Sequence, residues 1–523
     1  MNFFTISFWK NFYSSQAESI LVSVWSLAFT LPLALCLSLD QIFTFRPWHY
    51  IAYIVTLATG ICCKNPLKFT TRQVYFVYFL IGSLICIAPI TGYFGLEING
   101  FDFSIYDWMS RPNFFKEIGY EPIHSSNHFG VHATWILFPI YSLRTLWGHP
   151  LFLIVLGSAA IWLAVIPLWF YLESRSLDRQ FNITLCLAYL SCSFTATLIN
   201  KGFRIECLYP LAVFSFIWAW ENSKTFLWIL FLSCFLCIKE DAPLYLLGFA
   251  SYLIVFKKHE RRLGAFLFLS SATLFFLNLN YFQASFVDPQ FKKVFMGFWA
   301  HYGKDLLSIS QNILLSPTIF FSDIIQSGWW KIYLVLGFLP IFSPRFLAFS
   351  LPGIILLGTA RGSVTMHQYG SYYPMVLVCL ALLGVADVYK NIPTRFPGLK
   401  TVVLFIVFTF PLFHASSLKF YPHKLDQYHA IQGIAQELEK SKAGKICVQA
   451  GLIPYLGYHL PIENLSNACL KEADYALISP ELNPYPHSKA YLENLSTSDN
   501  FVISTHQNHV ISLLRLKTNE KIF

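Results

Sequence analysis

Charge is what this 523-residue sequence has little of. Asp, Glu, Lys and Arg make up 12% of it against 55% hydrophobic residues, a ratio that excludes an ordinary water-soluble domain. Nor does it contain a long basic stripe interleaved with stacking aromatics, so the formal charge of +9 does not argue for nucleic acid as a partner. The 12 cysteines form no paired C-x-x-C array suited to zinc. Most lie within apolar runs, where a thiol acts as a small hydrophobe, and Cys234 and Cys237 read as mid-helix packing. Cys447 and Cys469 fall in a polar tail, and whether they pair depends on whether that tail faces an oxidising compartment. There is no internal repeat and no low-complexity tract, which weakens a transporter built on inverted repeats. No small-residue cleavage site precedes the first apolar run, so the stretch after Glu18 is expected to stay as an uncleaved signal anchor.

What is present is a series of apolar runs of about 15 to 22 residues, matching the roughly 20 residues that cross a hydrocarbon core as helix. Backbone satisfaction in lipid makes each run helical. Thirteen candidate spans begin near Glu18, His49, Val74, Leu151, Asn182, Ile205, Thr225, Pro243, Leu263, Trp329, Arg345, Tyr373 and Thr401. Four basic loops set the orientation: Lys64, Lys68 and Arg72; Arg175 and Arg179; Lys257, Lys258, Arg261 and Arg262; and Lys390, Arg395 and Lys400. Positive charge in short loops marks the cytoplasmic side. The four share one side if the run from Val131 to Trp147 does not fully cross, so that run is expected to be re-entrant or interfacial. The N-terminus is then cytoplasmic and the C-terminus outside. The loops at 94–150, 201–204, 239–241, 283–328 and 361–372 converge on the outer face.

After His414 the composition turns polar. A helix is expected near Leu425 to Lys440, strands near Lys445 to Gln449 and Tyr475 to Ser479, and a hairpin near Phe501 to Leu516. Residues 1–414 thus form a transmembrane domain with a large first outer loop at 94–150, and residues 415–523 a small extracytoplasmic α/β domain.

Several outer-loop groups carry candidate chemistry. Asp102 and Asp107 stand among aromatics just after a membrane helix, where an ionised acid can serve as a general base. Their spacing turns them about 140° apart on a helix, which argues against one paired-carboxylate site. Ordinary loop acids or helix caps remain the alternative. His124, His128 and His132 recur every fourth residue and in a helix drift by about 40° per step. Metal binding is one reading. Interfacial hydrogen bonding is the better one, because no H-E-x-x-H pattern accompanies them. Lys239, Glu240 and Asp241 are consecutive charges between apolar runs, each costing roughly 2.5–3.5 kcal/mol at a bilayer centre, so they belong at a cavity or interface. Lys201, Arg204 and Glu206 offer cations for a phosphate or carboxylate, with snorkelling anchors as the plain alternative. His301-Tyr302 and His367-Gln368-Tyr369 sit in later outer loops near helix entrances.

Taken in order, Phe101-Asp102, Ile105-Tyr106-Asp107, Asn127-His128-Phe129-Gly130-Val131-His132, Pro139-Ile140-Tyr141, Lys239-Glu240-Asp241 and His301-Tyr302 resemble a group of uncharacterised bacterial multi-spanning proteins, over roughly 99–373. That group is similar in turn to the GT-C membrane glycosyltransferases, such as protein O-mannosyltransferases and the lipid A aminoarabinose transferase, a likeness at the level of fold. The resemblance implies an outer-loop acid that activates an acceptor hydroxyl to displace a polyprenyl-phosphate from a sugar, with inversion. It assigns that role to Asp102, phosphate neutralisation to Arg204 and Lys239, orientation of these cations or metal holding to Glu240 or Asp241, and the acceptor side to His128 and His132. Asp107, His301, Tyr302, His367 and Tyr369 are supporting candidates. Where the family pattern leads one to expect Phe-His, this chain has Phe203-Arg204, and no D-x-D pair stands in the first loop. No cofactor is certain, and a divalent metal stays open.

The expectation is therefore an α-helical, GT-C-like polytopic protein of a bacterial inner membrane that moves sugar from a polyprenyl-phosphate donor to an envelope acceptor. The alternatives are a transporter or flippase of lipid-linked saccharides and a non-catalytic envelope-assembly scaffold.

Overall fold

The computed structural model describes residues 71–98, 100–110, 118–121, 123, 126–286, 297–367, 371–393, 396–412, 418–442, 444–456, 460–482, 484, 487–498 and 501–515. The spans expected near Glu18 and His49, and His124 and Tyr369, lie outside these residues.

The chain runs back and forth as helices between two polar ends. Thr71–Phe94 packs on Leu151–Leu163, which continues through Ala164 into Val165–Ser174. Arg179–Ser191 and Ser193–Asn200 follow, then Tyr209–Glu221 against Thr225–Ile238, and Ala242–Phe256 against both Arg261–Leu277 and Pro344–Thr359. Met375–Asn391 is the axis of the bundle. Its apolar residues go all round, and every residue from Met375 to Ala386 is buried, the behaviour expected of a helix without a polar face. Close packing depends on small residues: a Cβ on Gly248 would run into the Ala348 carbonyl of the neighbouring helix.

Among the described residues, Gln73–Phe94, Leu151–Ser174, Arg179–Asn200 and Lys258–Phe286 are long and apolar enough to cross a bilayer. Thr225–Ile238, Ala242–Phe256, Pro344–Thr359 and Gly398–Thr409 are apolar but shorter, so the described residues show several apolar helices and do not show thirteen full-length spans. The run expected to span from Trp329 is broken. Lys331–Val335 and the 3-10 turn Leu339–Phe342 are separated by Gly337 and Phe338, whose φ angles of 61° and 56° end any right-handed helix. Between Val131 and Trp147 the α-helix covers eight residues, Leu137–Arg144, about 12 Å and too short to cross.

The bundle's two ends differ in their charges. At one end Arg175 bridges Glu221 and Asp387, Arg345 pairs with the same two carboxylates, and Lys400 reaches Asp178 at 3.6 Å. Lys257 shares a cavity with Glu221 and Arg345 at this end, so the basic loops near Arg175, Lys257 and Lys400 do converge. The site candidates singled out from sequence gather at the opposite end.

The tail carries a five-stranded sheet. In the connection between Thr71–Phe94 and Leu151–Leu163 β1 (Tyr120–Glu121) pairs with β2 (Ser126–Asn127); the tail contributes β3 (Ile446–Val448), β4 (Ile462–Asn464), β5 (Tyr475–Ile478), β6 (Phe501–Gln507) and β7 (Val510–Arg515). The order is β4-β3-β5-β7-β6, with β4, β3 and β5 parallel and the β6–β7 hairpin antiparallel. Asn508 and His509 both have positive φ, 46° and 65°, as a two-residue hairpin turn demands. Cys447 of β3 is disulfide-bonded to Cys469, with Cα atoms 5.9 Å apart.

This tail packs on the connection between Thr71–Phe94 and Leu151–Leu163. The turn Ala450–Tyr455 after β3 lies on the helix Gly100–Met109, where Ser104 Oγ donates to the Ala450 carbonyl at 2.9 Å. Asn464 Nδ2 donates to the Ile123 carbonyl at 2.8 Å, and Lys424 pairs with Glu97 at 2.8 Å. Below this contact Arg144 Nη2 donates to Asp107 Oδ1 at 2.6 Å, the two side chains being 1% and 0% exposed. Asp107 thus ties the helix Leu137–Arg144 to the helix Gly100–Met109. Removing one partner strands a buried charge, so Arg144→Leu should destabilise the protein by about 3–5 kcal/mol. The double variant Asp107→Leu/Arg144→Leu should lose less than the sum of the singles in detergent unfolding curves.

Candidate functional site

Asp102 lies in the first turn of the helix Gly100–Met109, where the helix dipole favours an anion. Its carboxylate pairs with the Arg204 guanidinium and stays 24% exposed, whereas the Arg204 side chain is 7% exposed. Arg204 is presented by extended backbone between the end of Ser193–Asn200 and the 3-10 turn Ile205–Leu208. Gly202 makes that bend at φ 81°, a conformation that suits glycine. The guanidinium lies over the Tyr372 ring, 3.4 Å from its centroid, a cation–π contact.

From Arg204 the charges alternate in sign. Its Nε is 3.7 Å from Glu206 Oε2, and Glu206 Oε1 accepts from Lys239 Nζ at 3.0 Å. Lys239 Nζ also sits 4.6 Å from the centroid of Tyr373. Glu240 turns the other way, within 2.8 Å of His132 Nδ1 and accepting from the Ala133 N–H at 3.0 Å. Asp241 accepts from the Tyr209 hydroxyl. Aromatic edges close the far side: the Tyr106 ring stands 5.5 Å from both His128 and Phe203, and His128 lies 5.3 Å from His132.

Of the residues singled out from sequence, Asp102, Arg204, Glu206, Lys239, Glu240, Asp241, His128 and His132 come together here. The four-residue spacing of the histidines does not come from an α-helix. His128 opens a 3-10 turn, His128–Gly130, capped by the Asn127 side chain, and His132 follows it. Among the described residues no three His, Cys, Asp or Glu side chains are grouped as metal ligands. The carboxylates that could hold a metal, Glu240 and Asp241, are occupied by His132, Ala133 and Tyr209. Asp107 is not part of this group.

His301 and Tyr302 form a second polar cluster around a residue the sequence reading passed over. Asp323, fully buried, lies 2.7 Å from His301 Nε2 and accepts from the Tyr302 hydroxyl at 2.9 Å, with Arg361 at 3.9 Å. His367 is close enough to feel Asp323 and His301, but burial lowers its pKa first of all. Tyr372, Tyr373 and Tyr209 were also missed. The Tyr-Tyr-Pro run at a helix entrance was the available signal for the first two, whereas nothing local marked Asp323.

A family profile described as a predicted membrane protein (DUF2079) matches residues 93–438, more than half of the chain. The chain belongs to the DUF2079 family. The matched region holds every charge of the alternating set, from Asp102 to Lys239, together with the tail helix Leu425–Lys440 up to Leu438. The tail sheet lies beyond it. No curated protein matches this DUF2079 chain.

Burial raises the Glu206 pKa, but Lys239 and Arg204 outweigh that and hold the carboxyl down, from the ordinary 4.5 to about 2. A depressed carboxyl stabilises the fold fully above its ordinary pKa and loses that contribution as pH falls through its folded value. Thermal stability of the wild type should therefore drop between pH 4.5 and about 2. Glu206→Gln should be less stable at neutral pH and show a shallower drop. An unchanged slope in the variant would show that Glu206 is not held by these cations.

Proposed function

We propose that this protein is a membrane glycosyltransferase of the GT-C type, acting on the extracytoplasmic side of a bacterial inner membrane. Its donor is a polyprenyl-phosphate-linked sugar and its acceptor a hydroxyl of an envelope component. Asp102 takes the acceptor proton, the acceptor oxygen forms a bond to the anomeric carbon, and the bond from that carbon to the phosphate oxygen breaks. The departing polyprenyl-phosphate carries the electron pair and is neutralised by Arg204 and Lys239.

The observation that carries this reading is the setting of Asp102, a partly exposed carboxylate fixed against a nearly buried Arg204 that heads a chain of alternating charge. A phosphate arriving at Arg204 competes with Asp102 for the guanidinium, frees the carboxylate to accept a proton, and binds where Tyr372 stacks. The disulfide in the tail supports an oxidising, extracytoplasmic location for the end that bears the site. By the same reasoning the end carrying Arg175, Lys257 and Lys400 is cytoplasmic, as is the N-terminus.

A transporter of lipid-linked saccharides is the second reading. What favours it is the interruption at Gly337 and Phe338, since broken helices recur where transporters hold cargo. Product formation separates the two. Membranes containing the wild type should transfer radiolabel from polyprenyl-phosphate sugars to endogenous acceptors, and Asp102→Asn at equal expression should lose about 10²–10⁴-fold of that rate. Equal transfer by the variant would remove Asp102 as the base, and lipid-linked sugar moved without transfer would favour transport. For orientation, in a cysteine-depleted background a cysteine at Lys258 should resist impermeant thiol reagents in intact cells while one at Ser126 reacts. The reverse pattern would overturn the sidedness.

A further inference from the structure

Leu306–Leu315 and Pro317–Ser327 are consecutive helices in the connection between Arg261–Leu277 and Pro344–Thr359, a stretch that the sequence places among the outer loops. At roughly 15–17 Å each, they are too short to cross a bilayer. A capping box of Asp305 with Ser308 opens the first, and Gly328 in the left-handed conformation closes the second. From Leu306 to Ser327 the sequence holds a single charge, Asp323, and that side chain is fully buried. Everything the pair presents outward is therefore uncharged.

Much of that outward face is also apolar. Leu307 and Leu314 are exposed on the first helix and Leu315 at its end; Leu314 is 81% exposed. On the second helix Phe321 and Ile325, one turn apart, are 60% and 64% exposed. Asp323 is two residues from each, roughly 200° round the helix, so the apolar side lies opposite the side that meets His301, Tyr302 and Arg361. The second helix packs on Pro344–Thr359, where a Cβ on Gly358 would run into the Ile324 side chain. Gly358 is at the end of that helix away from Arg345, which puts the pair at the end of the bundle that bears Asp102 and Arg204. Pro344–Thr359 itself exposes Leu351 and Ile355, so the apolar surface continues from the pair along the side of the bundle. Beyond Gly328 the partly exposed Trp330 donates from Nε1 to the Ile325 carbonyl at 3.0 Å, an aromatic of the kind that favours a membrane boundary.

We infer that this helix pair seats its outward face in the lipid interface of the leaflet on the site's side, so that its partner is the boundary between headgroups and acyl chains. A contiguous apolar face left in water is costly, and an amphipathic helix buries such a face about 5–10 Å into that boundary. With no cation on the face, apolar burial and not attraction to anionic lipid holds it there. The inner face carries the consequence. Asp323 meets Arg361 at 3.9 Å, and the connection that begins at Arg361 carries Tyr372, stacked on Arg204, and Tyr373, beside Lys239. A membrane-seated element thus anchors the connection that covers the alternating charges. The inference depends on the bundle crossing a membrane and is independent of the transfer chemistry.

The test uses the full-length protein in phosphatidylcholine nanodiscs, with the cysteines outside the Cys447–Cys469 disulfide replaced. Leu314→Cys, Phe321→Cys, Ile325→Cys and, in the tail, Glu493→Cys are made singly and labelled with an environment-sensitive fluorophore. All four side chains are exposed, so the substitutions leave the core intact. The first three labels should emit blue-shifted light, be quenched by nitroxide-bearing lipid and lose most of their quenching by aqueous iodide, while the Glu493 label stays open to iodide. Adding phosphatidylglycerol should leave this pattern unchanged. Iodide quenching of the three labels would overturn the inference by placing the face in water, and shielding from both quenchers would overturn it by giving the face to a protein. A requirement for phosphatidylglycerol would overturn it too, since charge would then hold the pair.

Discussion

An ionised side chain withdrawn from water costs several kcal/mol unless an opposite charge meets it at close range, and in a chain this poor in charge nearly every buried ion is spent on such a meeting. Asp102, Arg204, Glu206 and Lys239 come from three separate connections between helices, and they can be buried together because their signs alternate. That requirement fixes how the helices end. The helix Gly100–Met109, the bend at Gly202 and the junction at Lys239 must all arrive at one level of the bundle. At the other end Arg175, Glu221, Arg345 and Asp387 impose the same condition on four further helix termini. The apolar helices between the two clusters are then held in register by polar groups that have no other place to go.

The tail adds a second layer to the site end. The turn that follows β3 rests on the helix bearing Asp102, and the Cys447–Cys469 disulfide anchors β3 itself. Asp102 is thereby supported from below by Arg144 through Asp107 and from above by Ala450 through Ser104. In the transfer we propose, such support serves Asp102 as the base, because a displacement of one ångström is enough to lose an aligned attack. The family match ends within Leu425–Lys440, so it takes in most of the helix that begins the tail and none of the tail sheet.

Much of this was legible in the sequence because the signals are local. Apolar runs marked Thr71–Phe94, Arg179–Asn200 and Arg261–Leu277. Period-two patterning marked β3, β5 and the β6–β7 hairpin, and the rare charges at Arg204 and Lys239 announced where polar groups would meet. The break at Gly337 and Phe338 was not legible, because Trp329 to Phe342 is apolar enough to read as one span and its backbone turns are set by packing. Strand β4 was missed because three residues, one of them Glu463, carry no alternation. The pairings themselves could not be read. Asp102 and Arg204 are 102 residues apart, and Asp107 looked like a twin of Asp102 until Arg144 claimed it. The histidines illustrate the converse. Their spacing suggested a helical face, and although the backbone there is a 3-10 turn, His128 and His132 still converge.

The central physical claim is that the alternating charges act as one electrostatic unit. It is tested most directly by a double-mutant cycle on Glu206→Gln and Lys239→Gln, with unfolding free energies measured in detergent at neutral pH. If the unit is real, each single substitution strands a buried charge and is strongly destabilising, while the double variant, which removes both charges, loses much less than the sum. Additive losses would mean that Glu206 and Lys239 are stabilised separately, and that the chain of charges leading to Asp102 is not coupled.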